Sequence, residues 1–170
     1  MRVNLKRLEL LPGQKKTVTE KFEGSPEWLS GMQAAFADEI SVELLVEYTG
    51  RYWLVRGMLT APLKLTCSRC LEEFSYLLRG DFERIVVSPD AKVRNHMAED
   101  DDAYLLAEEG SVEIGQAVEE TLVLNIPMVP LCREDCSGLC AVCGQNLNVG
   151  TCECRDDVID PRLEKLKDLL

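Results

Sequence analysis

The sequence lacks a long apolar run and a basic excess, and it is poor in histidine and aromatic residues. Its 170 residues contain one histidine, 6% aromatic residues and 19 basic against 30 acidic residues, for a formal net charge of −11. No stretch approaches the roughly 18–20 apolar residues of a membrane-spanning helix, which excludes a span. Residues 1–7 hold neither a long apolar core nor a small-residue cleavage site, so we expect no secretory signal and a cytoplasmic protein. A pI of about 4.6 argues against a simple non-specific nucleic-acid binder, which carries a basic patch.

Familiar catalytic signatures are also missing from the sequence. It contains no Gly-rich phosphate loop, no H-E-x-x-H motif and no serine, histidine and aspartate set that its single histidine, His96, could serve. A Cys-x-x-Cys pair can act as a redox dithiol, and Arg69 between Cys67 and Cys70 would favour a thiolate there. Arg69 favours a metal-bound thiolate equally, and residues 63–78 around it have strand character. We therefore expect no enzymatic activity, with a thiol redox protein as the competing hypothesis.

What the sequence does contain is eight cysteines arranged in four close pairs. Disulfides are disfavoured in the reducing cytosol, and cysteines that serve only as small buried apolar residues need not occur in pairs. Close cysteine pairs in such a protein are instead typical of metal sites. We predict that all eight are ligands of two structural zinc ions. The pairs are Cys67 with Cys70, Cys132 with Cys136, Cys140 with Cys143, and Cys152 with Cys154.

The loop lengths between the pairs favour one distribution of the cysteines over two ions. Closed four-thiolate zinc sites usually combine two close pairs held on separate turns. The pairs 140/143 and 152/154 are joined by residues 144–151, whose glycines and asparagines allow a tight turn. This leaves 67/70 to meet 132/136 in a second site that closes a long loop. The alternative, which stays open, joins 132/136 to 140/143 and leaves 67/70 to meet 152/154.

Hydrophobic periodicity predicts a β-rich chain with one internal helix. Alternation of apolar and polar residues indicates strands, and residues 40–48 alternate well. Residues 114–126 place apolar side chains at helical spacing, and Pro127 ends this helix. A final helix opens at Asp160, with Pro161 as its first helical residue. Strands are predicted at residues 3–11, 17–22, 40–48, 52–59, 63–67, 74–78, 82–87 and, within an acidic loop, 104–106.

These elements define the expected fold. It is an α+β protein with a mainly antiparallel β-sheet or partly open barrel, an internal helix, a Cys-rich zinc-ribbon-like tail and a short C-terminal helix. Residues 1–131 form the β-rich core domain, with an acidic loop near residues 95–110. Residues 132–170 form the zinc-binding tail and the C-terminal helix, packed on the core. The cysteine pair 67/70 falls in a turn between two strands, which suits a zinc knuckle.

The acidic charge is concentrated towards the C-terminus. Residues 95–170 hold five basic and seventeen acidic residues, whereas residues 1–21 hold six basic and two acidic residues. A direct contact with nucleic acid would therefore come from the N-terminal strands. Tyr52, Trp53 and Phe74 are candidate stacking groups for RNA bases, although core positions suit these aromatics better. The acidic half would more naturally meet a basic protein, and ribosomal proteins are the obvious cytosolic examples.

Three motifs give the chain a resemblance to a known family. They are LNIPMVPLCREDCSGLCAVCGQNLN at residues 124–148, CSRCLEEF at residues 67–74, and the CEC of residues 152–154 followed by Asp160-Pro161-Arg162 and a leucine-rich end. Together these motifs resemble the YceD family of large ribosomal RNA subunit accumulation proteins, in its cysteine-rich branch.

The resemblance implies a non-enzymatic factor for large ribosomal subunit biogenesis that promotes accumulation or processing of 23S rRNA, with zinc as structural support. The implied partners are a large-subunit rRNA precursor or a basic ribosomal protein, with no membrane and no small-molecule substrate. Two alternatives remain open: an acidic adaptor or chaperone for a basic ribosomal protein, and a zinc-ribbon nucleic-acid-binding protein. The resemblance assigns no catalytic or RNA-binding residue to this chain.

Overall fold

The structure, a computed structural model, describes residues 2–5, 11–87, 104–106 and 110–154, with only the backbone described at 104–106. The chain divides into two compact units. One, the sheet unit, comprises Met1–Leu65 and Ser75–Met128, and the other, the cysteine unit, comprises Thr66–Phe74 and Val129–Leu170. His96, most of the acidic loop near 95–110 and the helix expected from Asp160 lie outside the described residues.

Two β-sheets contain most of the regular secondary structure of the described chain. The larger sheet is open, with strand order β2-β4-β5-β6-β7 and with β3 also paired to β5, while β1 and β8 form a second, two-stranded sheet. The β2–β4, β4–β5, β3–β5 and β1–β8 pairs are antiparallel, and β7 runs parallel to β6. The strands are β1 (Arg2–Asn4), β2 (Lys15–Phe22), β3 (Ala34–Phe36), β4 (Ile40–Tyr48), β5 (Tyr52–Thr66), β6 (Glu73–Val87), β7 (Tyr104–Leu106) and β8 (Ser111–Glu113).

The core follows from the alternation along the strands. In β4, Ile40, Val42, Leu44 and Val46 have no solvent exposure, and the residues between them point to the other, more open face. Alternate side chains of a strand project to opposite faces, so this pattern covers one face of the sheet and leaves the other partly open. The mixed fold with a mainly antiparallel, open sheet is confirmed.

Two of the predicted breaks between strands are wrong. Residues 52–59 and 63–67 belong largely to the single strand β5, which passes through Pro62. Pro62 is tolerated because it lies between two partners: β4 pairs with β5 up to Thr60, and β3 pairs with it only from Leu63. A proline there removes no hydrogen-bond donor from either of these two ladders, and its carbonyl still accepts a hydrogen bond from the Ala37 N–H at 2.9 Å.

The second wrong break concerns Gly80 and Asp81, which lie inside the continuous strand β6. The glycine serves a close approach of the helix and makes no turn. A Cβ atom on Gly80 would lie 2.7 Å from Thr121 Cγ2 and 2.8 Å from Asn125 Nδ2. A glycine inside a strand commonly marks such a contact.

The internal helix is confirmed as α1 (Gly115–Asn125), which ends two residues before Pro127. Its buried side chains are Ala117, Val118, Thr121 and Leu122, at the spacing of one helix face. Arg84 Nη2 in β6 and Glu120 Oε2 in α1 form an ion pair at 2.7 Å. A short 3-10 turn spans Pro26–Leu29. No helix within the described residues has the length and hydropathy needed to cross a membrane.

Candidate metal centres

The first Cys-x-x-Cys pair forms a tight turn between β5 and β6. The Leu71 N–H donates to the Cys67 carbonyl at 2.9 Å, and the Cys67 N–H donates to the Glu72 carbonyl at 2.9 Å. The Arg69 N–H points at Cys67 Sγ, 3.5 Å away. To close this turn, Leu71 adopts a left-handed backbone with φ of 60°. The turn thus directs backbone N–H groups at a sulfur atom, which favours the thiolate form of a metal ligand.

The second Cys-x-x-Cys pair, 140/143, repeats this hydrogen-bond pattern. The Gly144 N–H donates to the Cys140 carbonyl at 2.9 Å, and the Cys140 N–H donates to the Gln145 carbonyl at 2.8 Å. The Val142 N–H lies 3.4 Å from Cys140 Sγ. The left-handed position after the second cysteine is taken here by Gly144, with φ of 74°. The chain therefore builds the same knuckle twice from two different sequences.

The first knuckle belongs to a group of four thiols that we name cluster A, formed by Cys67, Cys70, Cys132 and Cys136. Their sulfur atoms all lie within 4.8 Å of one another. The Cys67–Cys136 sulfur pair is separated by 3.8 Å and the Cys70–Cys132 pair by 3.7 Å. A tetrahedral zinc with Zn–S bonds of about 2.3 Å requires sulfur atoms about 3.8 Å apart, so this donor set fits zinc.

The second knuckle belongs to cluster B, formed by Cys140, Cys143, Cys152 and Cys154. These sulfur atoms also lie within 4.8 Å of one another. Cys140 is buried, Cys152 and Cys154 are half-buried and Cys143 is exposed, whereas three of the four thiols of cluster A are buried. All eight cysteines are free thiols, and each cluster could hold one metal ion. The thiols are thus grouped in the arrangement that the loop lengths favoured, and the alternative grouping is absent from these described residues.

The close packing of four thiols lowers the pKa of some members of each cluster and raises that of others. Burial opposes ionisation of Cys67, but the backbone N–H groups of Cys70, Cys132 and Arg69 outweigh it and lower the pKa of that thiol to about 6. Burial, followed by hydrogen bonds to Cys136 and the other thiols, raises the pKa of Cys132 to about 12. Without a cation, neighbouring thiolates repel, so some of the thiols retain their protons.

Cluster B shows the same division. The backbone N–H groups of Cys143 and Val142 lower the pKa of Cys140 to about 7. A hydrogen bond to Cys143, followed by burial, raises the pKa of Cys154 to about 12. A divalent cation would relieve this repulsion in either cluster, because metal binding deprotonates the coordinating thiol.

The comparison with known proteins places these cysteines in a family. A family model described as "Large ribosomal RNA subunit accumulation protein YceD" matches residues 55–170, which include all eight cysteines. The chain belongs to the YceD family. An uncharacterized protein of Mycobacterium leprae is 31% identical over 131 residues, which cover 77% of this chain and 59% of the relative. An uncharacterized protein of Mycobacterium tuberculosis is 30% identical over 131 residues, covering 77% of this chain and 62% of the relative.

The chain therefore spans about three fifths of the length of these curated relatives. No solved structure matches it. The membership of the YceD family confirms the resemblance that the three sequence motifs indicated.

In this YceD-family protein, hydrogen bonds and close backbone packing hold the first knuckle against the segment that carries Cys132 and Cys136, which we name the partner segment. Arg69 Nη1 donates to the Cys136 carbonyl at 2.8 Å, and the Ser68 N–H donates to the Pro130 carbonyl at 2.8 Å. The Gly138 backbone has φ of 75° and approaches closely, because a Cβ atom there would lie 3.1 Å from the Arg69 carbonyl oxygen. The aromatic residue Phe74 packs against cluster A.

Three polar residues near cluster A were not predicted as part of the site: Glu72, Asn146 and Asn148. Asn148 Nδ2 lies 3.3 Å from Cys136 Sγ, and Glu72 Oε2 lies 4.0 Å from Cys70 Sγ. Their sequence context indicates only a turn-forming role for the two asparagines. Their Asn-x-Asn spacing, which brings two amides to one face of an extended or turned segment, is a signal that could have found them.

The other candidate residues belong to the sheet unit or lie outside the described residues. Tyr52 and Trp53 are half-buried. The ring centroids of Trp53 and Tyr48 lie 5.1 Å apart, and the two ring planes are tilted by 32°. This intramolecular contact occupies part of the surface that a stacked base would need. His96 lies outside the described residues.

Proposed function

We propose that this protein is a non-enzymatic, cytoplasmic factor for large ribosomal subunit biogenesis, which promotes the accumulation or processing of 23S rRNA. All eight cysteines serve as ligands of two structural zinc ions, one in each cluster. The observation that carries the proposal is the match of the family model to the residues that build the two four-thiol clusters. A large-subunit rRNA precursor or a ribosomal protein is the partner.

The donor sets support a structural role for zinc. Four thiolates complete a tetrahedral coordination shell, whereas catalytic zinc sites keep a position open for water or substrate. Three of the four sulfur donors of cluster A are buried, so a small-molecule substrate has little access to an ion held there. The zinc ions therefore shape a binding surface and take no part in bond breaking.

The test is the balance of the two ribosomal RNAs in cells. Clean deletion of the gene should lower 23S relative to 16S rRNA, and the wild-type chain should restore the ratio. A Cys67→Ser/Cys70→Ser variant should fail to restore it, because cluster A loses half its ligands. The matched control is Ser68→Ala, an exposed residue between the two cysteines. An unchanged 23S to 16S ratio in the deletion strain would refute the proposed function.

The charge of the cysteine unit favours a second candidate, an acidic adaptor or chaperone for a basic ribosomal protein. The described residues of this unit include two basic and five acidic side chains. Each zinc ion held by four thiolates would add about −2 to the charge, because all four thiols are deprotonated. Such a surface repels phosphate groups and attracts basic side chains. The charged residues are Arg69, Arg133, Glu72, Glu73, Glu134, Asp135 and Glu153.

Capture of the tagged protein from lysate at two salt concentrations separates the two candidates. Direct rRNA binding predicts that large-subunit RNA is captured and is lost steeply as salt rises, because phosphate contacts release counterions. The adaptor predicts that a ribosomal protein is captured without RNA. Glu134→Gln/Asp135→Asn should then weaken that capture, while Glu20→Gln on the sheet unit should not.

A further inference from the structure

We infer that the two clusters are coupled: metal binding at either one raises the affinity of the other, and Asn146 and Asn148 carry the coupling. The inference rests on the proposed binding of metal by both clusters. It assigns to two asparagines a positioning role that neither the fold nor the family name suggests. Residues 144–151, which contain both, are called the linker below because they join the two cysteine pairs of cluster B.

Cluster B fixes both ends of the linker. Cys143 precedes it and Cys152 follows it, so an ion in cluster B would close it into a loop of eight residues. Hydrogen bonds within the loop support this closed form, including Gln145 Nε2 to the Thr151 carbonyl at 3.4 Å and the Val149 N–H to the Asn146 carbonyl at 3.2 Å. The geometry of cluster B thus determines where the middle of the linker lies.

The middle of the linker belongs to the surroundings of cluster A. Asn148 Nδ2 lies 3.3 Å from Cys136 Sγ and so can donate a hydrogen bond to that thiolate. Asn148 Oδ1 accepts from the Ser137 N–H at 2.8 Å and from Arg133 Nη2 at 2.6 Å. A single amide therefore ties the linker to the segment that supplies Cys136 and places a donor on a sulfur atom of cluster A.

Asn146 extends the contact to the other half of cluster A. Its Nδ2 donates to Glu72 Oε1 at 2.8 Å, and Glu72 Oε2 lies 4.0 Å from Cys70 Sγ. Asn146 Oδ1 accepts from Asn148 Nδ2 at 2.8 Å, which aligns the two amides. The linker of cluster B therefore touches both the knuckle and the partner segment of cluster A.

Coupling arises because the linker loses its conformational entropy only once, when the first of the two ions binds. Fixing a loop costs conformational entropy, and an ion in cluster B would already have ordered this one. Cluster A then gains the Asn148 donor without ordering the linker anew, so its affinity for metal rises. The coupling free energy is reciprocal, so cluster A must raise the affinity of cluster B by the same factor. Residues that hydrogen-bond metal ligands typically change metal affinity about 10–100-fold, and we expect a coupling factor of about 10.

The experiment counts zinc ions on the full chain under reducing conditions. Metal-free protein receives one equivalent of zinc and is analysed by native mass spectrometry. Coupled clusters give mainly protein with no ion and with two ions, whereas independent clusters of equal affinity give about half of the chains with one ion. Competition with a chelator of known affinity then measures zinc binding to cluster A alone in Cys152→Ser/Cys154→Ser, which we expect to be about 10-fold weaker than in the wild type.

Asn148→Asp isolates the role of the asparagine without removing any thiol. The aspartate keeps the oxygen that accepts from Ser137 and Arg133, but it replaces the donor to Cys136 with a negative oxygen. At one equivalent of zinc, we expect protein with one bound ion to become the most abundant species of this variant. The matched control is Val149→Ala, on the same linker, whose side chain is 83% exposed and whose backbone N–H keeps its hydrogen bond to the Asn146 carbonyl. This control should behave as the wild type does.

The possible outcomes separate failure of the coupling from failure of the metal sites. A wild-type protein that binds no zinc refutes the proposed metal sites themselves. Two bound ions with an independent distribution at half loading leave the metal sites standing and overturn the coupling. If the wild type shows coupled zinc loading and Asn148→Asp shows the same distribution, the role proposed for Asn148 is overturned. Should the double serine variant bind no metal at all, the distributions of the wild type and Asn148→Asp still decide.

Discussion

At the scale of single residues, Leu71 occupies a backbone conformation that leucine seldom adopts. Its φ is 60°, and the matching position of the second knuckle is Gly144. The left-handed conformation costs a non-glycine residue roughly 1–2 kcal/mol in the folded state. Replacement by glycine removes this strain, but part of the gain is lost because glycine makes the unfolded chain more flexible and so stabilises it. The Leu71 side chain is 61% exposed, so its removal forfeits little packing. We therefore predict that Leu71→Gly stabilises the folded protein by about 0.5–1 kcal/mol, as measured by urea denaturation of the zinc-loaded chain.

Gly144→Ala provides the converse test of the same strain. A Cβ atom at Gly144 would meet nothing within 4 Å, so this substitution changes only the backbone preference. It should destabilise the chain by about 1 kcal/mol. If Leu71→Gly proves less stable than the wild type, the exposed leucine makes a stabilising contact and the strain argument is refuted for the first knuckle.

At the scale of elements, sequence periodicity predicted the long segments. It failed for the shortest strands and where a proline or glycine, residues typical of turns, lies inside a strand. β4 and α1 were predicted because each buries one regular face, over Ile40–Tyr48 and Gly115–Asn125. β3 and β8 have three residues each and were not predicted, because so short a segment shows little alternation; the equally short β7 was predicted because its apolar residues stand out within an acidic loop. Pro62 and Gly80 were predicted to break strands because proline and glycine usually mark turns. In the structure, Pro62 lies between the segments of β5 that pair with β4 and with β3, and Gly80 allows α1 to approach β6 closely.

The candidate site divides in a similar way. Cysteine spacing and the length of the linker favoured the grouping of thiols that the structure shows, because a short linker allows two pairs to share an ion, but they left the alternative of 132/136 with 140/143 open. Asn146 and Asn148 could not be assigned in advance. Their contacts with Cys136 and Glu72 depend on how the linker folds over cluster A, which no local pattern encodes.

Gly80 leads to a prediction about how α1 packs on β6. Because a Cβ atom there would meet Thr121 and Asn125 within 2.8 Å, Gly80→Ala should force the helix and strand apart. We expect a loss of stability of about 1–3 kcal/mol, the usual cost of overpacking. Denaturant unfolding measures the loss, with Thr121→Ser alone as the control for the double variant. The double variant Gly80→Ala/Thr121→Ser, which removes the Thr121 methyl group, should recover part of the loss; no recovery would refute the contact as its cause.

At the scale of the whole molecule, the two units differ in what stabilises them. The sheet unit has its own apolar core, including Ile40, Leu44, Leu59 and Leu122, each at most 1% exposed. Among the described residues of the cysteine unit, the buried apolar group consists of Cys67, Cys70, Cys136 and Cys140, and four partly buried residues pack against the first three. Structural zinc contributes roughly 10–16 kcal/mol of apparent binding in small peptides, as much as the roughly 5–15 kcal/mol that holds a whole domain folded.

Removal of zinc should therefore unfold one unit and spare the other. With a chelator and a reductant at neutral pH, we expect amides of residues 66–74 and 129–154 to lose protection against hydrogen exchange by at least about 100-fold, because the proposed zinc binding would supply most of the stability of this unit. Amides of β4 should keep their protection, because the core that covers them contains no metal ligand. The control is the same chelator saturated with zinc beforehand. Equal loss of protection in β4 and in the knuckles would show that the sheet unit also depends on the metal, and unchanged protection throughout would show that thiol packing alone maintains the cysteine unit.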